Sequence, residues 1–330
     1  MECKSAAAHG EPTGLILSVQ RLSTEDGPGI RSTVFFKSCP LSCRWCQNPE
    51  SISPRPELQW HAPRCLGCRS CVQACPLGCV ELRSDGIHID RGTCDACGAC
   101  ADACPSGALE MLGRRVGAAE LAAELSRDAA WYEESGGGVT LSGGEPLAQP
   151  SFAAAVLDEL HRKGIPAALD TCGMASPQAF SSALSKVDVV LYDLKLADPA
   201  RHQELTGQPN DVILSNLERA AEAVAARSGG LSLWVRTPLV PGATATRDNI
   251  MAIGNLIAKR LDSAAARWEL CAFNNLCRDK YRRLGRTWDY ADAPLLRRAE
   301  LEEAAGWARD SGVDPEIVFL TGASRFEGDL

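Results

Sequence analysis

Cys39-Pro40-Leu41-Ser42-Cys43-Arg44-Trp45-Cys46 places three thiols within eight residues, directly behind the apolar run Thr33-Val34-Phe35-Phe36. Iron–sulfur cubanes take cysteine thiolates as ligands, ordinarily four of them, so a compact set of three leaves one iron without a nearby protein ligand. That iron is open to another molecule. The competing reading is a structural zinc knuckle, which needs its fourth ligand from elsewhere. Nearby residues complete no such set that is not better used further along the chain.

The spacing is CxxxCxxC, with an aromatic residue, Trp45, directly before the third cysteine. It is flanked by Asp26-Gly27-Pro28-Gly29-Ile30-Arg31-Ser32-Thr33 and by Cys46-Gln47-Asn48-Pro49-Glu50-Ser51. On these residues the chain resembles the glycyl-radical-enzyme activating enzymes of the radical S-adenosylmethionine superfamily. The resemblance implies that the open iron of a Cys39/Cys43/Cys46 cluster binds the amino and carboxylate groups of S-adenosylmethionine, with Trp45 beside it.

At 330 residues, 45% apolar and 23% charged, the chain reads as an ordinary soluble protein long enough to bury a full core. A formal charge of −8, a pI near 5.3 and the lack of a basic stripe argue against nucleic acid as a partner. Sixteen cysteines, grouped as CxxC and CxxxC in a long chain, point to metal sites in a reducing compartment rather than to disulfides. Residues 1–10 hold no apolar core for a signal peptide, and no run nears the roughly 18 apolar residues of a membrane span. The expectation is a cytoplasmic protein with no membrane association, from an anaerobic organism.

Cys65-Leu-Gly-Cys68-Arg-Ser-Cys71-Val-Gln-Ala-Cys75-Pro76 is repeated as Cys94-Asp-Ala-Cys97-Gly-Ala-Cys100-Ala-Asp-Ala-Cys104-Pro105. Each half is the bacterial ferredoxin run CxxCxxCxxxCP, in which the fourth cysteine ligates the other cluster. One cubane is therefore assigned to Cys65, Cys68, Cys71 and Cys104, the other to Cys94, Cys97, Cys100 and Cys75. His88 to Arg91 is expected as the short strand linking the halves. Cys79 reads as a buried structural thiol, with a ligand as the alternative. Cys3 reads as incidental.

After residue 108 helical stretches near 118–134, 150–163, 177–185, 211–227, 247–261 and 296–311 alternate with apolar runs at 138–142, 166–170, 187–192, 231–235, 268–273 and 316–320. Strands alternating with helices imply βαβ units and a parallel sheet. The fold expected is α/β, a partial (β/α)6 TIM-like barrel over residues 14–59 and 108–322. A bacterial-ferredoxin-type α+β module is inserted at 60–107, with tails at 1–13 and 323–330. In a curved parallel sheet functional groups collect at the carboxyl ends of the strands, and the polar motifs fall there.

The first of these motifs is Ser142-Gly143-Gly144-Glu145-Pro146, whose glycines let a ligand approach the backbone and whose acid suits an ammonium group. Asp170-Thr171-Cys172 and Asp193-Leu194-Lys195 end the next two strands, and neighbouring carboxylates repel unless a cation lies between them. The resemblance supplies roles. Gly143, Gly144 and Glu145 match the motif that holds the amino group of the cosubstrate. Asp170, Thr171, Asp193 and the carbonyl of Leu191 match a monovalent-cation site, for Na+ or K+, and Lys195 matches a lysine that contacts cosubstrate. The alternative for Lys195 is a surface lysine. Cys172 reads as packing, and Cys271 and Cys277 as structural. His202 in Asp198-Pro-Ala-Arg-His202 either serves the site or packs locally, while Arg236 matches an arginine beside cosubstrate or bound peptide. Asn274 stands where many relatives carry histidine, so cosubstrate contact is implied there but no titrating role.

The implied reaction takes an electron through the insert from flavodoxin or ferredoxin to the Cys39/Cys43/Cys46 cluster. S-adenosylmethionine is then cleaved to methionine and a 5′-deoxyadenosyl radical, which takes a hydrogen atom from a glycine of a partner glycyl radical enzyme. In all, the resemblance implies three [4Fe–4S] clusters, with the insert either relaying electrons or serving as scaffold. The rivals are a radical enzyme acting on a small molecule or RNA, against which the flanking motifs count, and an electron-transfer protein, which has no use for an open iron.

Overall fold

Runs such as Val189-Val190-Leu191-Tyr192 are apolar on both faces and buried throughout, as strands covered on both sides must be. The computed structural model describes residues 10–227 and 229–324 and assembles such runs into one nine-stranded sheet. In chain order β1 (Thr13–Ser23) pairs antiparallel with β2 (Arg31–Phe36). The insert runs past the expected 60–107 at both ends and contributes β3 (Glu57–Trp60), β4 (Val80–Arg83), β5 (Gly86–Ile89) and β6 (Leu109–Leu112), which stand apart from the main sheet. β7 (Arg114–Gly117) then returns to β1, antiparallel.

Next come β8 (Gly138–Gly143), β9 (Ala167–Thr171), β10 (Val189–Asp193), β11 (Ser232–Leu239), β12 (Ala265–Ala272) and β13 (Val318–Thr321). Each lies parallel to the one before, starting from β2. Six βα units are thus present, and β13 adds a further parallel strand. Because they run parallel, Phe36, Gly143, Thr171, Asp193 and the end of β11 share one rim.

The β1–β2 turn is locked by its own motif. Arg31, 1% exposed, donates to Thr140 Oγ1 (2.6 Å) and to the Val139 carbonyl (2.8 Å), while Asp26 accepts from Ser23 and Thr33. The Asp26 to Arg31 stretch therefore fastens β2 to β8 directly behind the cysteine loop.

The expected 118–134 helix is two helices, Ala118–Leu125 and Ala129–Ser135. Asp128 causes the break, since its carboxylate accepts from Arg21 (2.6 Å) and Ser32 (2.7 Å) across the sheet. Helices also form at Pro199–Thr206 and Arg278–Arg283, which the apolar spacing did not reveal. The expected tails lie outside the described residues over 1–9, Cys3 included, and over 325–330. Thr13, read as tail, opens β1, and Glu11 accepts the N–H of Ala119 at 2.5 Å. No helix of the described residues is long and apolar enough to cross a membrane.

In the inserted segment β3 pairs with β6 and β4 with β5, both antiparallel, over a small core of Leu58, Cys71, Cys79, Val80, Cys100 and Leu109. The expected strand His88 to Arg91 is displaced, for β5 closes a hairpin on β4 and ends at Ile89. The duplication is visible in the backbone: Gly67 and Ala96 are left-handed (φ 66° and 59°), as are Arg69 and Gly98 (φ 63° and 87°). A residue other than glycine costs about 1–2 kcal/mol in that conformation. The first half accepts that strain at Arg69, where the second uses glycine.

Candidate active site

At the shared rim a cavity of about 280 Å³ is lined by all three thiols of the Cys39, Cys43, Cys46 loop and by Trp45. The loop is hung from several elements. Ser42 and Arg44 donate their N–H groups to the carbonyls of Thr206 (2.8 Å) and Leu205 (3.0 Å), at the end of the helix Pro199–Thr206. Tyr281 Oη donates to the Cys46 carbonyl (2.8 Å) and Trp288 Nε1 to the Arg44 carbonyl (3.1 Å). Trp45, 5% exposed, packs edge-on against Tyr290.

The opposite wall is charged. Asp170, Asp193, Lys195 and Arg236 all face the cavity, with Thr171 between them. Lys195 Nζ lies 2.5 Å from Asp193 Oδ2 and is 8% exposed, so it is no surface lysine. Burial works against its charge, but Asp193 and the cysteines outweigh it and raise its pKa. Asp170 accepts from Ser142 (2.5 Å) and lies 3.7 Å from Arg236. Its pKa is pushed up to about 7 by burial and by the charge of Asp193, against the pull of Arg236. Burial pushes the Cys43 thiol up to about 12 and Cys46 up as well. Cys39 is instead lowered, by a hydrogen bond from Cys172 that overcomes its burial.

Several expected site residues stand elsewhere. Glu145 is not on the cavity wall: wholly buried, it accepts from Leu147 N (3.0 Å), Thr171 Oγ1 (2.9 Å) and Cys172 N (2.8 Å), and so shapes the β9 loop. Gly143 and Gly144 do line the cavity, yet what requires glycine is protein. A Cβ there would fall 2.4 Å from Phe36 N and 2.3 Å from the Ser38 carbonyl. His202, 1% exposed, packs locally, with Nδ1 2.7 Å from the Gln208 carbonyl and beside Thr206; burial lowers its pKa. It braces the helix end that holds Ser42.

Asn274 sits at the rim, its carbonyl accepting from Gln47 (3.2 Å) and its side chain from Leu276 N. Phe273 and Cys271 line the cavity in its place. The side chain of Leu191 packs under the cavity with Ala168 and Trp234. Cys172 does more than pack, since it touches Cys39, and sequence reasoning also missed the bracing by Tyr281 and Trp288.

In the insert, Cys65, Cys68, Cys71 and Cys104 line one small cavity, the fourth coming from the other half of the duplication. Cys75, Cys94 and Cys100 lie near enough to influence one another's charge, and Cys79 Sγ is 3.4 Å from Cys75 Sγ. Among the described residues no group of three ligands closes on a single ion. Four thiols lining one cavity are the donor set that a cubane takes.

Comparison with known proteins agrees with this geometry. A family described as a 4Fe-4S single cluster domain matches residues 25–213. The isethionate sulfite-lyase activating enzyme of Nitratidesulfovibrio vulgaris is 39% identical over 90% of this chain and 97% of its own length. The benzylsuccinate synthase activating enzyme of Thauera aromatica is 39% identical over 84% of this chain and 83% of its own. The chain belongs to the glycyl-radical-enzyme activating enzymes. This activating enzyme works with an iron–sulfur cluster and S-adenosylmethionine, and its activity is to install a radical on a glycine of a partner enzyme. A crystal structure of a domain of pyruvate-formate lyase-activating enzyme from Bacteroides vulgatus is 26% identical, over 56% of this chain and 99% of that one, with a TM-score of 0.45.

Proposed function

We propose that Cys39, Cys43 and Cys46 hold the [4Fe–4S] cluster that binds S-adenosylmethionine, in a barrel formed by residues 13–56 and 113–322. Two further [4Fe–4S] clusters belong to the insert, residues 57–112, one on Cys65, Cys68, Cys71 and Cys104, the other on Cys75, Cys94, Cys97 and Cys100. The barrel cluster, when bound and reduced, supplies the electron that splits the cosubstrate. The observation that carries this reading is the convergence of all three loop thiols and four charged side chains on one cavity.

The chain's own residues bind and orient. Lys195 and Arg236 present cations to the cosubstrate carboxylate, and Asp170 and Asp193 present anions to its ammonium group or to a Na+ or K+ ion. Glu145 contributes by fixing Thr171 and Cys172. Phe273, Pro238 and Val240 form an apolar wall that excludes water. Flavodoxin or ferredoxin is the electron donor, and the cysteine usage suits the reducing cytoplasm. The client is a glycyl radical enzyme. Because relatives are named for a sulfite-lyase and a synthase alike, candidate clients are to be screened.

The test is anaerobic reconstitution with iron and sulfide, reduction with dithionite, and assay of 5′-deoxyadenosine with and without each client under electron paramagnetic resonance. A carbon-centred doublet on one client is expected, lost when Cys39, Cys43 or Cys46 is changed to alanine. Cleavage with no radical on any client would move the reading to a small-molecule substrate, and no cleavage with filled clusters would overturn it.

A further inference from the structure

The two halves of the insert share a backbone but not a surface. Around the first, Leu66 is 71% exposed between Cys65 and Cys68, Cys68 is itself exposed, and Arg64 and Arg69 project into solvent. Arg64 is neutralised by Glu110 at 2.6 Å, whereas Arg69 has no anionic partner among the described residues. In the second half the exposed Asp95 stands where the first has Leu66, the exposed Asp102 where it has Gln73, and Gly98 where it has Arg69. Arg69 also holds a left-handed conformation that its counterpart meets with Gly98, just as Ala96 holds one that the first half meets with Gly67.

The halves differ in attachment as well. Arg91, three residues before Cys94, donates to the Leu284 carbonyl (2.9 Å) at the end of the helix Arg278–Arg283. Among the described residues, the hydrogen bonds of residues 61–83 stay within residues 57–112, as in His61 N–H to the Ala108 carbonyl and Arg64 to Glu110. The second half is therefore the tethered one, and the first faces outward.

We propose that the face made by Leu66, Gly67, Cys68 and Arg69 docks a small acidic protein carrying a one-electron centre. Electrons enter at the Cys65/Cys68/Cys71/Cys104 group and pass inward through the Cys75/Cys94/Cys97/Cys100 group. In each step one electron leaves the carrier or donor group and one is gained by the next; no bond is made or broken. The proposal rests on the reading above that the insert holds two clusters and relays. An exposed aliphatic residue beside one uncompensated arginine suits an acidic partner, with charge governing encounter and the leucine supplying the dry contact. In a chain of net charge −8, a diffuse field would repel such a carrier, so the unpaired Arg69 selects where it lands.

The test titrates the reconstituted full chain with an acidic flavodoxin and, separately, an acidic two-cluster ferredoxin, by calorimetry at low and high ionic strength. Arg69→Glu should weaken binding about tenfold and Arg69→Gly a few-fold, both effects shrinking at high salt. Arg69→Gly should keep or raise the melting temperature, because it relieves strain. The KM for the carrier should rise in step with Kd, while dithionite-driven 5′-deoxyadenosine formation stays at the wild-type rate. Asp95→Lys should not weaken binding. Unchanged affinity in Arg69→Glu for both carriers, or an equal loss in Asp95→Lys, would overturn the proposal. Failure of the wild type to cleave S-adenosylmethionine with dithionite would instead sink the reading of the barrel site, and unchanged carrier-driven turnover in Cys68→Ala would sink the relay.

Discussion

The barrel cavity and the insert both gather cysteines, and they do so in opposite ways. In the barrel three thiols share a cavity with Asp170, Asp193, Lys195 and Arg236, and their loop is held by residues as distant in sequence as Tyr281 and Trp288. In the insert eight thiols of a duplicated run sit around a core of only a few apolar residues, with no comparable charged wall in the cavity lined by Cys65, Cys68, Cys71 and Cys104. A site with an open position and charged neighbours is built to bind and transform a ligand. On the assignment proposed above, thiols fill every position of the insert's clusters, an arrangement suited to holding and passing electrons.

The largest expected effect breaks that comparison directly. Alanine at Cys39, Cys43 or Cys46 should abolish dithionite-driven formation of 5′-deoxyadenosine, whereas Cys97→Ala should leave it within a few-fold of wild type. Equal loss in both, with the barrel cluster of Cys97→Ala still at wild-type content, would mean that the insert shapes the cavity as well as serving it.

Next in size is the ion pair of Lys195 with Asp193 on the cavity wall. Lys195→Met should destabilise the protein by about 3 kcal/mol in denaturant unfolding, since it strands Asp193 with a low-dielectric wall behind it. The figure sits at the lower end for buried pairs because Asp193 is 32% exposed to the cavity. Lys186→Met, removing a 2.7 Å pair with the half-exposed Asp158, should cost about 0–1 kcal/mol. Similar losses in the two would show that Lys195 is not held as a charge-paired wall.

What could be read in the sequence divides along the same line. The gathering of Cys104 with Cys65, Cys68 and Cys71 was legible because a local repeat carries it. The alternation of strands and helices likewise placed Asp170, Asp193 and Arg236 on one rim. The orientation of Glu145 was not legible, since it depends on Thr171 and Cys172 in the next strand's loop. His202 was ambiguous for a similar reason: only the folded turn shows the Gln208 carbonyl waiting for its ring nitrogen. The helices Pro199–Thr206 and Arg278–Arg283 escaped because they are too short and polar to show an apolar stripe.

A smaller effect follows from Asp170. Its pKa is pushed up to about 7, above the ordinary carboxylate value, so the folded state holds the proton more tightly than the unfolded chain does. Stability from this group is full below the unfolded pKa and is lost as pH rises through about 7. Without cosubstrate, the melting temperature should therefore fall between pH 5 and pH 8, and Asp170→Asn should flatten that part of the profile. Added Na+ or K+ should restore stability at the upper end if a cation lies between Asp170 and Asp193. A wild-type profile as flat as the variant's would mean that Arg236 already neutralises the site.

The smallest effect tests whether the barrel loop depends on its distant braces. Tyr281→Phe removes only the hydroxyl that donates to the Cys46 carbonyl, and the ring's stack on Trp288, at 5.0 Å between centroids, is kept. The expected cost is about 1 kcal/mol, that of one partly buried hydrogen bond. It should be local: hydrogen exchange should quicken at the amides of Cys46 and its neighbours, while amides around Cys65 and Cys94 keep their wild-type rates. The insert's loops close on their own turns, as in the Cys94 N–H donating to the Asp90 carbonyl, and the tie from Arg91 to the Leu284 carbonyl does not use the Tyr281 hydroxyl. Faster exchange in both places would mean that the two cysteine sites open as one cooperative unit, and the contrast between a loop held from afar and a module held by its own repeat would fall.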